Sequence, residues 1–205
     1  MRPDLLGVLE ESQRRGFLGP GAVQQHIDHA AAFVAALPEA GGPATVLDLG
    51  SGGGVPGLVV ALAWPHARVV LLDRELRRVD HLRAAIGVLG LGDRVRAQHG
   101  RAEDAGRAPE LRGAFEVVTA RSFAAPAVTA ECAAPFLVVH GVVLVAEPPD
   151  APDGRWPEAG LAELGLADRG TGRAGGATVR RLEAVSRCPE RYPRRPGVPM
   201  RRPLF

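Results

Sequence analysis

The sequence predicts an α/β fold: a mostly parallel, doubly wound sheet with helices on both faces, entered through a short N-terminal helical extension. Three observations predict it. Short apolar runs recur without polar alternation, as strands buried on both faces require. Segments of helical periodicity separate these runs, the pattern of βαβ units. The first run, "VLDLG", passes into "SGGGVPG", a glycine-rich turn of the kind that joins a strand to a helix beside a ligand.

Each element follows in order. Residues 4 to 14 predict a short helix, broken by "GFLGPG". Residues 22 to 37, "AVQQHIDHAAAFVAAL", set Val23, Ile27, Ala30, Ala31, Val34 and Leu37 near one face of a second helix. "PEAGGP" ends it. "ATVLDLG" predicts a buried strand, and "VPGLVVALAWP" a helix behind the turn. "ARVVLLD" is a second strand, residues 75 to 90 a helix with arginines at exposed positions, and "DRVRAQHG" a third strand. "AFEVVTAR" is a fourth, followed by a helix around 126 to 137. "GVVLVAE" is a fifth, "EPPDAPDGR" a loop, and a helix near 156 to 164 leads to a last strand, "TVRRLEAVSRC". This divides the chain into a helical extension (1–40) and an α/β domain (41–205) that closes on a basic Pro/Arg-rich tail (187–205). Ligands of such sheets sit at the carboxyl ends of the strands.

Composition narrows the function classes. The chain has 205 residues, 46% apolar and 23% charged, as in an ordinary globular domain. All 25 basic residues are arginine, a bias that argues against reading each one as functional. The net charge of +2 conceals an asymmetry: residues 187–205 carry +5 and the rest −3. A basic tail on a mildly acidic body points to a polyanionic partner, with a merely solvated terminus as the alternative. Cys132 and Cys188 have no metal-ligand or redox spacing, so a reducing, cytoplasmic setting is expected. No signal peptide or membrane span is expected from the apolar runs. His26 and His29 lie three apart on one helix face, but no third ligand accompanies them, so no metal is expected.

The glycine turn can be read in two registers. Gly52, Gly54 and Gly57 form G-x-G-x-x-G, a dinucleotide pattern. Asp48, Gly50, Gly52 and Gly54 form D-x-G-x-G-x-G, which resembles the first motif of Class I S-adenosylmethionine methyltransferases. A pyrophosphate wants backbone N–H groups and no acid beside it. S-adenosylmethionine has no phosphate and carries positive charge, so Asp48 favours the second register. Asp73 ends the second strand 25 residues later, where a carboxylate can accept ribose hydroxyls in either case. Ala102 and Glu103, in "GRAEDAG", follow the third strand where an adenine could be gripped.

"ARSFAAP" (120–126) follows the fourth strand in place of the N/D-P-P-Y/F motif of amino-group methyltransferases. "ARSFA" resembles the S-R-A-F-A segment of the bacterial small-subunit rRNA guanine-N7 methyltransferases, the glucose-inhibited division protein B family. "LLDRELRRVDHLR" is similar to its L-D-x-x-x-K-R-x-x-F-L segment, "RYPRRPGVPMRRPL" to its Y-P-R-K-P-G-x-P-x-K-x-P-L tail, and "HIDHA" to its H-x-x-D-S segment. The resemblance runs from about residue 26 to the C-terminus. It implies a Rossmann-like Class I methyltransferase, cytoplasmic and monomeric, that moves the methyl of S-adenosylmethionine to N7 of a guanine in 16S rRNA or the small ribosomal subunit.

The candidate cofactor residues are Asp48, Gly50, Gly52, Gly54, Val55, Asp73, Arg74, Ala102, Glu103 and Arg121. Arg121 is also the candidate catalytic residue, since arginine matches the O6/N7 edge of guanine; the alternative is an ion pair with Asp104, Glu116 or another acid. Guanine N7 has a lone pair and no hydrogen, so alignment can carry the reaction without a general base. In the tail, prolines are expected to forbid helix and extend the chain. Arg191, Arg194, Arg195, Arg201 and Arg202 would then meet phosphates while Tyr192 stacks on a base; a strap packed on the sheet is the alternative. The sequence departs from the family in a shortened N-terminal region and in Glu147-Pro148, where a Lys-Gly is common. An acid there would repel phosphate, which leaves a paralogue acting on a small molecule or another RNA site as the second reading.

Overall fold

A computed structural model describes residues 4–37 and 42–205. The expected helix stop and the division at residue 40 fall on residues 38–41, outside the described residues. Helices α1 (Leu5–Arg14) and α2 (Val23–Ala35) lead into β1 (Thr45–Leu49), α3 (Gly57–Ala63), β2 (Arg68–Asp73), α4 (Leu76–Val88) and β3 (Val95–His99). Then come α5 (Ala102–Ala105), β4 (Phe115–Ala120), α6 (Pro126–Ala133), β5 (Leu137–Glu147), α7 (Glu158–Ala162), β6 (Leu166–Ala174), β7 (Ala177–Ala184) and α8 (Val198–Arg201).

The seven strands form one sheet in the order β3-β2-β1-β4-β5-β7-β6. The first five are parallel; β7 runs antiparallel to β5, and β6 antiparallel to β7. Alternate residues of each central strand face opposite layers. Val46, Val69, Leu71, Val117 and Leu144 pack with Leu9, Phe33, Leu58 and Leu82 from α1, α2, α3 and α4. Leu47, Leu49, Leu72, Val118 and Val143 pack on the other side with Val128, Phe136 and Leu161 from α6, α7 and the turn between α6 and β5. The strand order reverses between β1 and β4, so a crevice opens at their carboxyl ends.

Four expectations are corrected. Residues 166–174 form a further strand, β6, which makes a hairpin with β7. Its side chains are mostly exposed, so it lacks the apolar run that marks a buried strand. In α2 the buried side includes His26 and Phe33, while Ala31 is exposed. The helix expected to reach residue 137 closes at Ala133, giving way to a 3-10 turn over Ala134–Phe136. The tail contains one helical turn, α8. Pro199 lies in its first turn, where a missing N–H costs nothing.

Candidate active site

Four N–H groups of the glycine turn after β1 are taken up by neighbouring protein acceptors. The N–H groups of Gly50 and Ser51 both donate to the Leu72 carbonyl (2.9 Å each), and that of Gly54 to Ser51 O (2.8 Å). The Gly52 N–H donates to Asp73 Oδ2 (2.8 Å). A pyrophosphate would find these groups occupied. Gly50 has φ +70°, and a Cβ there would stand 2.6 Å from the Phe123 ring, so only glycine lets that ring close over the turn.

Asp48 does not face the cleft, contrary to the sequence reading. It is 1% exposed. Its Oδ2 accepts from Ser51 Oγ (2.6 Å) and Gly57 N (3.1 Å), and its Oδ1 from Thr119 Oγ1 (2.7 Å). Burial pushes its carboxyl above the usual range, against the pull of those three hydrogen bonds. Asp48 ties β1 to the turn, α3 and β4. It is a brace of the turn, not an electrode aimed at a bound cation.

The first cavity, about 410 Å3, lies at the carboxyl ends of β1 and β2. Gly50, Asp73, Arg74, Ala102 and Glu103 line it; Asp48, Gly52, Gly54, Val55 and Arg121 do not. Asp73 is 3% exposed and accepts from Gly52 N and from Glu75 N (2.9 Å). Glu103 accepts from Gly197 N (2.9 Å) in the tail and from Arg101 Nη2 (3.5 Å). Burial raises the Glu103 pKa, but the backbone N–H and Arg101 outweigh it and hold the carboxyl below its ordinary value. The remaining wall is apolar, with Leu72, Phe123, Val128 and Met200. Phe123, Arg101 and Met200 were not singled out from the sequence; they come from three separate segments, and no local pattern joins them. Arg78, from the "LLDRELRRVDHLR" segment, and Arg201, expected on RNA phosphates, line the same cavity.

A second cavity, about 330 Å3, shares Ser122, Phe123 and Ala124 with the first. Arg121 lines this one. Neither Asp104 nor Glu116 pairs with it. Its Nη2 donates to His26 Nδ1 (2.5 Å), and its Nη1 is buried without a partner among the described residues. Burial lowers the Arg121 pKa and the Asp48 charge raises it; an arginine stays charged regardless. Ser122 between the cavities has φ 52°, a left-handed conformation uncommon for serine. Glu147 also lines the second cavity, but it does not present a free negative charge. Its carboxylate accepts from Arg155, from Trp156 Nε1 and from Arg180 Nε (2.8 Å). The repulsion of phosphate that motivated the small-molecule reading is thereby removed.

The tail packs as a strap. Arg112 donates to the carbonyls of Tyr192 (2.8 Å) and Cys188 (2.9 Å), and Arg107 to that of Pro193 (2.5 Å). Two of its candidate RNA contacts are corrected. Tyr192 is 4% exposed and donates its hydroxyl to Glu163 (2.9 Å), so its ring is unavailable for stacking. Arg194 forms a forked pair with the fully buried Glu131 (Nη2–Oε2 2.6 Å). Arg191, Arg195, Arg201 and Arg202 are exposed, with Arg191 resting over the Tyr192 ring. Cys132 lies in the first cavity wall with its thiol pKa raised far by burial. Burial pushes Cys188 up to about 11. Neither cysteine offers a thiolate nucleophile. Among the described residues no cluster of three or more His, Cys, Asp or Glu side chains could hold a metal.

Comparison with known proteins agrees on one family. The GidB family model, described as rRNA small subunit methyltransferase G, matches residues 19–148. The ribosomal RNA small subunit methyltransferase G of Parasynechococcus marenigrum (strain WH8102) is 37% identical over 176 residues, covering 77% of this chain and 66% of that protein. The chain thus spans just under two thirds of that relative's length. Among solved structures, an O-methyltransferase family protein from Burkholderia thailandensis superposes with a TM-score of 0.61 at 19% identity, over 90% of this chain and 68% of that one. Geranyl diphosphate C-methyltransferase from Streptomyces coelicolor A3(2), solved with S-adenosyl-L-homocysteine, gives 0.59 at 12% identity, over 76% and 78%. These likenesses establish the Class I methyltransferase fold.

Proposed function

We propose, for a chain that belongs to the GidB family of rRNA small subunit methyltransferases G, that it transfers the methyl group of S-adenosylmethionine to N7 of a guanine in 16S rRNA. The observation that carries this reading is the first cavity: a nucleoside-sized, partly apolar slot beside a glycine turn whose Gly50, Ser51, Gly52 and Gly54 N–H groups are already paired. Asp73 accepts ribose hydroxyls through its remaining lone pairs, a role supported by its lining of the cavity. Ala102 and Glu103 flank the apolar wall where a base would lie, and Gly50 lets the ligand approach the backbone. The cofactor supplies a methyl already activated on a positively charged sulfur. The chain's part is then alignment, and the absence of a thiolate is consistent with an acceptor nitrogen that has no proton to lose.

Arg121 faces the acceptor side and donates to guanine O6. Arg195, Arg201 and Arg202 contact rRNA phosphates, and residues 1–40 serve as an extension of the methyltransferase domain. The enzyme works as a cytoplasmic monomer; no helix among the described residues is long and apolar enough to cross a membrane. Small ribosomal subunits from a strain lacking the enzyme, incubated with the protein and labelled S-adenosylmethionine, should gain a single 7-methylguanosine located by mass mapping. S-adenosylhomocysteine binding with no methyl gained by the subunits would refute the substrate.

A further inference from the structure

His26 lies in the "HIDHA" segment and belongs to no catalytic pattern in the sequence, yet both of its ring nitrogens are engaged, one of them by Arg121 in the wall of the second cavity. It is 8% exposed. Its Nε2 lies 3.2 Å from Gly19 O and 3.1 Å from Pro20 O. Carbonyl oxygens only accept, so Nε2 carries the proton. Nδ1 is then a bare lone pair, and it accepts from Arg121 Nη2. Only the neutral ring in this one tautomer satisfies both sides. Burial and then the Arg121 charge hold the His26 pKa below its ordinary value, so the ring is neutral at pH 7. Among the described residues no acid pairs directly with Arg121. His29 on the same helix and Asp48 on β1 are the other charged or titratable groups that act on the pair.

The arrangement leaves Arg121 half satisfied. One nitrogen is fixed by His26 and another, Nη1, is buried without an acceptor among the described residues. A buried donor left alone is unfavourable, and a ligand that brings an acceptor relieves it. The cavity that Arg121 lines adjoins the first one through Ser122, Phe123 and Ala124.

We propose that the second cavity seats the base that receives the methyl, and that His26 is the positioning residue that aims Arg121 at it. This rests on the methyltransferase reading of the first cavity. Guanine offers O6 and N7 as acceptors, whereas adenine replaces O6 by an amino donor. A guanidinium held at O6 accepts guanine, rejects adenine, and leaves the N7 lone pair free. That pair forms the new N–CH3 bond as the C–S bond breaks. The bonding electrons stay on sulfur, and the positive charge passes to the guanine. Arg121 therefore selects and orients the base. Protonated His26 would turn a second N–H toward the guanidinium and lose the orientation.

The test uses the full chain, small subunits lacking the methyl group, and S-adenosylhomocysteine as the cofactor-site probe. His26→Ala should lower transfer per KM for subunits by about 10-fold at pH 7.5, the loss of one charge-assisted hydrogen bond. S-adenosylhomocysteine affinity should stay within about 2-fold, since His26 does not line that cavity. Transfer by the wild type should fall on an acidic limb that lies below the ordinary histidine range, because burial and Arg121 lower the His26 pKa, while S-adenosylhomocysteine binding does not. His26→Asn supplies an acceptor near the Nδ1 position without a proton to gain; it should recover most transfer and lose that limb. This second variant decides the matter if His26→Ala fails to fold. Wild-type transfer with unchanged rates and an unchanged acidic limb in both variants would overturn the role of His26. No transfer by the wild type, with S-adenosylhomocysteine bound, would instead overturn the methyltransferase substrate and this seat with it.

Discussion

Asp48 shows how one side chain can be necessary to a ligand site without touching the ligand. It collects donors from Ser51, Gly57 and Thr119, which belong to the turn, α3 and β4. Asp48→Ala would leave three donors in a dry environment, at about 1–3 kcal/mol for each one that finds no water. We expect a loss of about 3–5 kcal/mol in urea unfolding, together with weakened S-adenosylhomocysteine binding because the turn loses its brace. Unchanged stability would refute the brace. Asp73 and Gly50 were expected at the crevice because strand ends and turns point there, and both line the first cavity. Asp48 was legible as special but not in its role. Its partners lie as far as 71 residues away, and strand parity turns its side chain toward the layer of α3. His26 carried only a faint signal, since the spacing of two histidines on a helix says nothing of the arginine 95 residues later.

The tail is the element whose behaviour depends most on one buried pair. Glu131 on α6 is fully buried and receives both the backbone N–H of Arg194 (2.8 Å) and its guanidinium. Arg194→Ala removes the compensating cation and strands the carboxylate, at about 3–5 kcal/mol. Glu103 holds the next turn through Gly197, and Met200 and Arg201 line the first cavity. The substitution should therefore speed hydrogen exchange across residues 188–203 and weaken S-adenosylhomocysteine binding in parallel. Fast exchange with intact binding would show that the strap does not support S-adenosylhomocysteine binding. The prolines were read as forbidding helix, yet Val198–Arg201 forms one helical turn with Pro199 in its first turn. That the tail packs was open in the sequence, because the anchors are carbonyls held by Arg107 and Arg112, residues with no mark of their own. The edge strand β6 was missed for a related reason: an exposed edge has no apolar alternation to reveal it.

At the scale of the whole molecule the charge asymmetry finds a surface. Arg194 is withdrawn from the basic tail by Glu131, whereas Arg195, Arg201 and Arg202 stay exposed, Arg201 in the wall of the first cavity. Replacing these three by alanine should flatten the salt dependence of rRNA binding, with the slope of log affinity against log salt falling by about 2–3, and leave the fold intact. An unchanged slope would place the RNA contact elsewhere. The alternation of apolar strands and helices, the turn after β1 and the acid after β2 were set by local sequence. Strand parity and turn chemistry act over a few residues and need no knowledge of the rest. The tertiary structure alone decided which charges are spent and which are left. Burial and pairing are properties of neighbours brought together from distant segments, and they turned Asp48 and Arg194 into braces, Glu147 into a neutralised core group, and His26 into the partner of Arg121.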